Sequence, residues 1–272
     1  MELVIKPESK WWHIDLKELW FYRELFYFLT WRDTKVKYKQ TYIGVAWAIF
    51  QPFITMVIFS VIFGKFGKVP SDGIPYPIFV YGGLLFWVLF NGGLTSASNS
   101  FVNNERIISK VYFPRIILPA SAILTNIIDF FFSAIIFAGI LVFYHHTPGL
   151  IGLLLAPLLV LLTVFSAFGM GLLIASFNVK FRDIRYALPF FIQILMFVTP
   201  VIYPVSIFPD KYHLLLGLNP MSGIIDTARA TLLGTGSIDW ALLGVSVASS
   251  LVYCALGFVY FKKMERHFAD YI

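Results

Sequence analysis

The sequence predicts an all-α, polytopic membrane protein with six transmembrane helices, and three observations lead to that fold class. Apolar residues make up 58% of the 272 residues and charged residues only 13%, whereas a soluble domain has about 45–50% and about 25%. The mean hydropathy is +0.78. The charges also cluster in short segments between long apolar runs. A water-facing surface cannot be built from such a chain, so we expect lipid to surround it.

The N-terminal segment, residues 1–43, is predicted to be cytoplasmic and to carry an amphipathic helix. Apolar residues recur three or four positions apart between Trp11 and Trp31, with charged residues interleaved, which is the spacing of a helix with one apolar face. Tryptophan at a boundary between water and lipid favours a helix lying in the interfacial plane. Packing against a protein surface is the alternative that this spacing leaves open.

A boundary between water and lipid follows at residues 31–52. Four cations precede Gly44, and no charge occurs from Thr41 to Gly64. About 20 apolar residues cross a hydrocarbon core at about 1.5 Å per helical residue. On this criterion the predicted spans cover residues 44–64, 78–102, 116–144, 150–177, 187–203 and 239–261.

Residues 204–235, between the fifth and sixth spans, form the exception to this pattern. Their apolar pieces are too short to cross and are interrupted by proline and glycine. Short apolar helices of this kind predict re-entrant or interfacial helices. Residues 262–272 form a charged tail.

The distribution of basic residues predicts the orientation. Six crossings place both termini on one side, which carries 17 of the 21 Lys and Arg residues. The other side carries the remaining four, which are Lys65, Lys68, Lys211 and Arg229. The positive-inside rule therefore places both termini in the cytoplasm. It also accounts for the net charge of +6 without a nucleic-acid partner.

Two polar features lie inside the predicted spans. The second half of the second span, from Asn91 to Ser100, is small and polar; it suits either close helix packing or a wall that faces a hydrophilic cargo. Asp129 is expected near the centre of the third span, where a charged carboxylate costs about 3 kcal/mol on insertion scales. A hydrogen bond with Asn126, one turn away, and a functional role are both open.

The sequence indicates no catalytic residue, no metal site and no cofactor bound by this chain. The single cysteine, Cys254, excludes an internal disulfide. His145 and His146 are adjacent, so their side chains diverge and make a poor metal pair. No GxxxxGK[ST] phosphate loop, zinc-ligand spacing or GxSxG motif occurs. If transport by this chain uses ATP, the ATP-binding machinery belongs to another chain.

The connection at residues 103–115 combines charges with apolar residues that we expect to be exposed: Ile107, Ile108, Val111, Tyr112 and Phe113. A partner would bury such residues.

Several short motifs together resemble one known family. The first reads Trp31-Arg-Asp-x-Lys-x-Lys-Tyr-x-x-Thr-x-x-Gly-x-x-Trp47 and is followed by Gln51-Pro52. Further blocks occur in family order at residues 104–119, Phe181-Arg-Asp183, Thr199-Pro-Val-Ile-Tyr-Pro204, Asn219-Pro220, Arg229 to Gly234, Phe261, Glu265 and Phe268-Ala-Asp270. The chain resembles the permease subunit of type-2 ABC exporters for polysaccharides, those of O-antigen, capsule and teichoic acid. Lys37 departs from the family, in which arginine is frequent before the tyrosine; the positive charge remains, but not the planar fork.

This resemblance implies a half-transporter of a bacterial inner membrane that pairs with itself and binds two ABC ATPase subunits, which carry ATP and Mg²⁺. It implies that residues 204–235 form gate helices at the exit face, with Tyr203, Asn219 and Arg229 as candidate gate residues. It also implies a coupling helix within 103–115. The candidate coupling residues are Asn104, Glu105, Arg106, Ile107, Ile108, Lys110, Val111, Tyr112 and Phe113.

The resulting hypothesis is export of a lipid-linked polysaccharide from the cytoplasm through a conduit on the dimer axis. The candidate lining residues are Trp47, Phe50, Trp87, Asn91, Ser96, Asn99 and Asp129, since sugars are recognised by aromatic faces and hydrogen-bonding groups. Arg32, Lys35 and Lys37 are expected either to bind the lipid head group or only to set the topology.

Three other functions are weighed against polysaccharide export. A type-2 ABC exporter of a drug or small lipid is the nearest alternative. An ion-coupled secondary transporter would need several intramembrane acids in series, and a membrane-embedded glycosyl- or acyltransferase would need a catalytic histidine or carboxylate pair; the sequence shows neither.

Overall fold

The computed structural model describes residues 16–39, 44–181 and 183–265, and these residues form helices and connecting turns without any strand. Some expectations lie outside this part of the chain. They concern the first fifteen residues, the Thr41 end of the first motif, Arg182 and most of the 262–272 tail.

The helices, labelled in chain order, have the following bounds: α1 Leu16–Phe21, α2 Arg23–Lys39, α3 Gly44–Phe59 with a π-helical continuation Ser60–Phe66, α4 Tyr76–Asn103, α5 Glu105–Ile108, α6 Ile117–Phe143, α7 Leu150–Lys180, α8 Ile184–Val198, α9 His213–Leu216, α10 Pro220–Leu233 and α11 Trp240–Glu265. Short 3₁₀ turns lie at Val205–Ile207 and Asp210–Tyr212.

Five helices of the described chain are long and apolar enough to cross a membrane: α3 with its continuation, α4, α6, α7 and α11. The fifth expected span, 187–203, is instead the 15-residue helix α8. It ends at Val198 because Thr199 is extended, as a residue before proline prefers to be. A helix of this length is shorter than the roughly 20 residues that a full crossing needs.

Helix α4 is the centre of the bundle. In its most apolar stretch 78% of the residues are buried, against 28% in α6, α7 and α11. Glycines permit this close packing: a Cβ at Gly92 would lie 2.7 Å from Asn126 Oδ1, and one at Gly171 would lie 2.6 Å from the Cβ of Ala97. Small residues therefore bring α4 against α6 and α7, which is one of the two roles expected for the polar half of this span.

The bundle has two ends, each with its own apolar cluster. The basal end carries α2, residues 104–116 and the last turn of α11, and its core includes Leu29, Phe101, Ile108, Phe113 and Phe261. The distal end carries residues 67–76, 199–219 and 234–239, and its core is continuous with the centre of α4.

Helix α2 packs along α6, so the N-terminal segment contacts the protein itself. The expected continuous helix is interrupted, since α1 ends at Phe21 and α2 begins at Arg23. Leu29 is buried in the basal cluster, and eight residues further on Lys37 reaches Asp129 in the middle of α6. This packing brings the basic end of α2 to the polar faces of α4 and α6.

Helix α10 is short and almost entirely buried, between α4, α7 and α11. Asn219 caps it by accepting a hydrogen bond from the Met221 N–H at 3.1 Å, and Pro220 stands at its first position, where its missing N–H is not needed. Gly234, with φ +71°, ends the helix in the left-handed conformation. With 14 residues, α10 is too short to cross a membrane.

Candidate functional site

A cavity of about 690 Å³ opens at the basal end between α2, α4, α5 and α6. Polar and charged side chains line much of it: Arg32, Asp33, Lys37, Ser96, Ser100, Asn103, Asn104, Glu105, Arg106 and Thr125. The structure thus brings together three sets of residues that the sequence assigned separately, to head-group binding, to the conduit and to coupling.

Lys37 joins α2 to α6 through an ion pair. Its ammonium group contacts Asp129 Oδ2, and the Tyr38 hydroxyl donates to Asp129 Oδ1. Lys37 Nζ also lies 3.4 Å from Asn126 Oδ1. Burial, and then the neighbouring Asp129 carboxylate, raise the pKa of the Tyr38 phenol, which therefore stays protonated and acts as a donor.

Of the possibilities that the sequence left open for Asp129, the structure shows contacts with α2 and not the hydrogen bond with Asn126. Asp129 lies twelve residues after the start of α6, about 18 Å along the helix, and its side chain is 14% exposed. Asn126 donates instead to Ser96 Oγ, across to α4, at 3.1 Å. The carboxylate is bound by the end of α2, so the helix that carries Arg32, Lys35 and Lys37 reaches this level of the bundle.

Arg32 forms a second polar contact along the same cavity. Its Nη2 lies 2.7 Å from Asp33 Oδ1 and donates to Asn104 Oδ1 at 2.8 Å. Asn104 in turn donates to the Ser100 carbonyl at 2.8 Å. Lys35, the third candidate head-group residue, does not line this cavity; its ammonium group lies 4.2 Å from the centre of the Trp31 ring.

The connection between α4 and α6 folds back on the bundle. Ile108 and Phe113 are buried in the basal cluster, with 9% and 3% exposure. The expectation that both are exposed was wrong, because the chain turns after α5 and packs them against Leu29, Phe101 and Phe261. Their roles at a partner interface remain untested predictions.

An exposed surface remains on this connection. Val111 is 57% exposed and Tyr112 is 76% exposed, next to the exposed side chains of Glu105, Arg106 and Lys110. Partial burial, followed by the carboxylates of Glu18 and Glu265, raises the pKa of the Tyr112 phenol, so the residue is neutral at pH 7. We name the surface of these five residues the loop surface.

The connection between α4 and α6 is tied to both ends of the described chain. Arg115 Nη1 donates to the Glu265 carbonyl at 2.6 Å, at the end of α11. The Tyr22 hydroxyl donates to the Tyr112 carbonyl at 3.3 Å. A displacement of this connection would therefore act on α2 and α11 as well as on α4 and α6.

The candidate conduit residues differ in their exposure and fall into three groups. Trp87 is only 2% exposed, in the core beside Phe90, so its assignment as a lining residue was wrong; its helix is the buried centre of the chain. Trp47 and Phe50 are 57% and 52% exposed on α3. Asn91 and Asn99 are half-buried.

The half-buried asparagines are engaged in hydrogen bonds. Asn91 Oδ1 accepts from the Thr95 hydroxyl at 3.3 Å, and Asn99 Oδ1 accepts from Asn178 of α7 at 3.3 Å. The first contact lies within α4 and the second joins α4 to α7, while Thr95 remains exposed between the two asparagines.

At the distal end, Arg229 is buried with 3% exposure. Its guanidinium group donates to the carbonyls of Phe79, Pro200 and Val201 at 3.1, 2.6 and 2.5 Å. It also lies 3.6 Å from the centre of the Phe79 ring. Arg229 thus lies at the end opposite the basal cluster, the side to which the sequence assigned it, but its charge is buried among backbone carbonyls.

The other two gate candidates hold the same turn. The Tyr203 hydroxyl donates to the carbonyls of Phe197 and Val198 at 2.8 and 3.0 Å. Asn219 Nδ2 donates to Thr199 Oγ1 at 2.7 Å. All three candidates thus fix the 199–204 turn to α4, α8 and α10.

Two residues of these sites escaped sequence reasoning. Tyr38 follows Lys37 directly in the first motif, and this position next to a candidate head-group residue could have indicated that it belongs to the site. Gly83 had no such signal: a Cβ there would lie 2.5 Å from Arg229 Nη2, a contact between residues that are far apart in the chain.

Comparison with known proteins identifies the class. Residues 24–233 match the family described as ABC-2 type transporter. The chain therefore belongs to this family of transport subunits, and it is a multi-pass protein of a bacterial inner membrane.

Individual relatives match nearly the whole chain. The O-antigen export system permease protein of Myxococcus xanthus is 27% identical over 260 residues, 94% of this chain and 98% of the relative. That of Klebsiella pneumoniae is 26% identical over 247 residues, 91% and 94% of the two chains. The polysialic acid transport protein of Escherichia coli is 21% identical over 248 residues, 86% and 91%.

Proposed function

We propose that this chain is the transmembrane subunit of an ATP-driven exporter that moves a lipid-linked polysaccharide of O-antigen type from the cytoplasm across the inner membrane. The observation that carries the proposal is the match, over most of both chains, to relatives named for O-antigen export and polysialic acid transport. The polar cavity at the basal end supports it, because sugar hydroxyls need hydrogen-bond partners and phosphate groups need hydrogen-bond donors and cations.

In this proposal α8, together with the turn after it, is the fifth crossing along the chain and brings the number of crossings to six. Helix α7 ends at the basal end, whereas the carbonyls of Pro200 and Val201 are bound by Arg229 at the distal end. Fifteen helical residues rise about 22 Å, and the extended residues from Thr199 onward add the remaining length. Both termini then lie at the basal end, which the positive-inside rule places in the cytoplasm.

The exporter is proposed to contain two copies of this chain and two ABC ATPase subunits, which bind ATP and Mg²⁺. The loop surface is the proposed ATPase contact, since it combines exposed apolar and charged side chains at the basal end. Residues 204–235, with the buried helix α10, are the proposed exit gate. Trp47 and Phe50 are the exposed aromatic candidates for the conduit.

Deletion of this chain in its host tests the proposal. Polysaccharide should disappear from the cell surface while its lipid-linked form accumulates at the cytoplasmic face, and re-expression should reverse both changes. Unchanged surface polysaccharide together with a new sensitivity to drugs would contradict the proposal and favour the small-molecule exporter.

A further inference from the structure

In the ion pair between Lys37 and Asp129, a carboxylate of the protein itself binds one of the candidate head-group cations. The carboxylate side chain is nearly buried, with 14% exposure, while the lysine side chain is 38% exposed. Asp129 has a second donor, the Tyr38 hydroxyl. The carboxylate would therefore keep one hydrogen bond if Lys37 moved away.

Lys37 also forms part of the wall of the basal cavity, beside Arg32, Ser96 and Thr125. An anion that enters this cavity can reach the ammonium group without passing through the bundle. Asp33, a carboxylate that also lines the cavity, is already paired with Arg32 at 2.7 Å. The carboxylate that pairs with Lys37 thus belongs to a different helix, α6, whereas the one that pairs with Arg32 belongs to α2 itself.

We infer that the Asp129 carboxylate binds the ammonium group of Lys37 in the cargo-free protein. A phosphate or pyrophosphate group of the cargo then displaces this carboxylate from Lys37, while the Tyr38 hydroxyl keeps its hydrogen bond to Asp129. This inference rests on the proposed function, because it names the anionic part of the cargo and the residue that the cargo displaces. Displacement separates the end of α2 from the middle of α6. Cargo binding would in this way act on α2, which follows directly after Tyr22, the residue whose hydroxyl contacts the Tyr112 carbonyl.

The exchange gives selectivity for strongly charged head groups. Separating a nearly buried carboxylate from its cation is unfavourable, so the incoming group must bind Lys37 more strongly than Asp129 does. A pyrophosphate carries more charge and more acceptor oxygens than a carboxylate. A neutral lipid of the same chain length carries no anionic group that could bind the ammonium group of Lys37, so the ion pair with Asp129 stays intact.

Equilibrium binding of a fluorescent polyprenyl pyrophosphate to the full chain, in nanodiscs of zwitterionic lipid, tests the exchange. Asp129→Asn keeps a hydrogen-bond acceptor for Lys37 and Tyr38 but removes the competing charge, so we expect binding about tenfold tighter. Lys37→Gln should weaken binding about tenfold. In the double variant the gain from Asp129→Asn should vanish, since the two changes act on one contact.

Two controls accompany these variants. Asp183→Asn removes the same charge at the start of α8, where the side chain makes no capping hydrogen bond, and should leave binding unchanged. A polyprenyl alcohol should not bind measurably. Competition with inorganic pyrophosphate separates the sources of the anion: displacement of the probe shows that the free anion suffices, and no displacement assigns the site to the lipid-borne group.

If Asp129→Asn binds the probe as the wild type does, or more weakly, the exchange is overturned while the proposed function stands. An equal gain in Asp183→Asn or in the double variant also overturns it, because the effect would then be one of net charge. If the wild-type chain binds no probe, the inference fails together with the pyrophosphate-linked cargo class. A misfolded variant cannot imitate the expected gain in affinity.

Discussion

Two cations at opposite ends of the bundle are bound in different ways. Lys37 at the basal end is held by side chains, the Asp129 carboxylate and the Asn126 amide oxygen. Arg229 at the distal end is held by backbone carbonyls and by the ring of Phe79. The Lys37 side chain is 38% exposed and Arg229 is 3% exposed.

The difference shows which end can exchange its ligands. A carboxylate leaves its cation by a change of rotamer, whereas the carbonyls of Pro200 and Val201 leave only if the turn that carries them unfolds. The basal end is therefore suited to binding and release of cargo, and the distal end to a fixed frame.

Arg229→Met should have the largest effect. It leaves buried carbonyls without a donor, and we expect a loss of roughly 3–5 kcal/mol of stability, measured as a lower Tm in detergent. Arg229→Lys should have a Tm between those of the wild type and Arg229→Met, because one ammonium group cannot reach the carbonyls of both Phe79 and Val201. Lys211→Met, at an exposed cation of the same end, is the matched control and should leave the Tm unchanged. Equal Tm values for all three variants would show that the distal end is not fixed by this residue.

Gly83→Ala tests the same contact from α4. A Cβ would lie 2.5 Å from Arg229 Nη2, and the overpacking should cost about 1–3 kcal/mol. Gly139→Ala in α6 is the control, because no atom lies within 4 Å of its Cβ position; it should be neutral or stabilise by up to about 1 kcal/mol. The two Tm shifts should therefore have opposite signs or differ clearly in size.

Tyr112→Ala should weaken binding of the ATPase subunit about tenfold without changing the Tm, because the side chain is exposed. Phe113→Ala should lower the Tm, since its ring is buried in the basal cluster. Co-purification and thermal unfolding measured on both variants separate the two roles. A lower Tm for Tyr112→Ala, with unchanged co-purification, would remove the loop surface as the proposed contact.

Tyr22→Phe should have the smallest effect, about 0.5 kcal/mol. It removes one exposed hydrogen bond, 3.3 Å long, to the Tyr112 carbonyl and keeps the ring in the basal cluster. A small effect is expected if the basal end is held by many weak contacts. A Tm shift as large as that of Gly83→Ala would contradict this view.

Sequence patterns predict the helical spans well, because length and hydropathy depend only on neighbouring residues. They do not distinguish a lipid-facing helix from a buried one. Helix α4 illustrates this limit: Trp87 was expected to line a conduit but lies in the core, since apolar side chains suit lipid and protein interior equally. The short helix α8 shows a second limit, where Thr199 and Pro200 end a helix inside an apolar run.

The contacts of the candidate site residues depend on tertiary packing. Arg32 and Lys37 line one cavity, although they stand five positions apart on α2, a spacing that does not by itself put two side chains on one face of a helix. The partner of Lys37 could not be predicted, since Asp129 is 92 residues away and only the packing of α2 on α6 brings them together. The burial of Ile108 and Phe113 could not be predicted for the same reason. It depends on the connection between α4 and α6 folding back on the bundle, which no local sequence pattern indicates.

ATP-driven export is tested most directly by transport in inside-out vesicles that contain this chain, its ATPase subunit and a lipid-linked polysaccharide. We expect uptake of the polysaccharide into the lumen that requires ATP and both chains. Uptake by this chain alone, driven by an ion gradient without ATP, would contradict it.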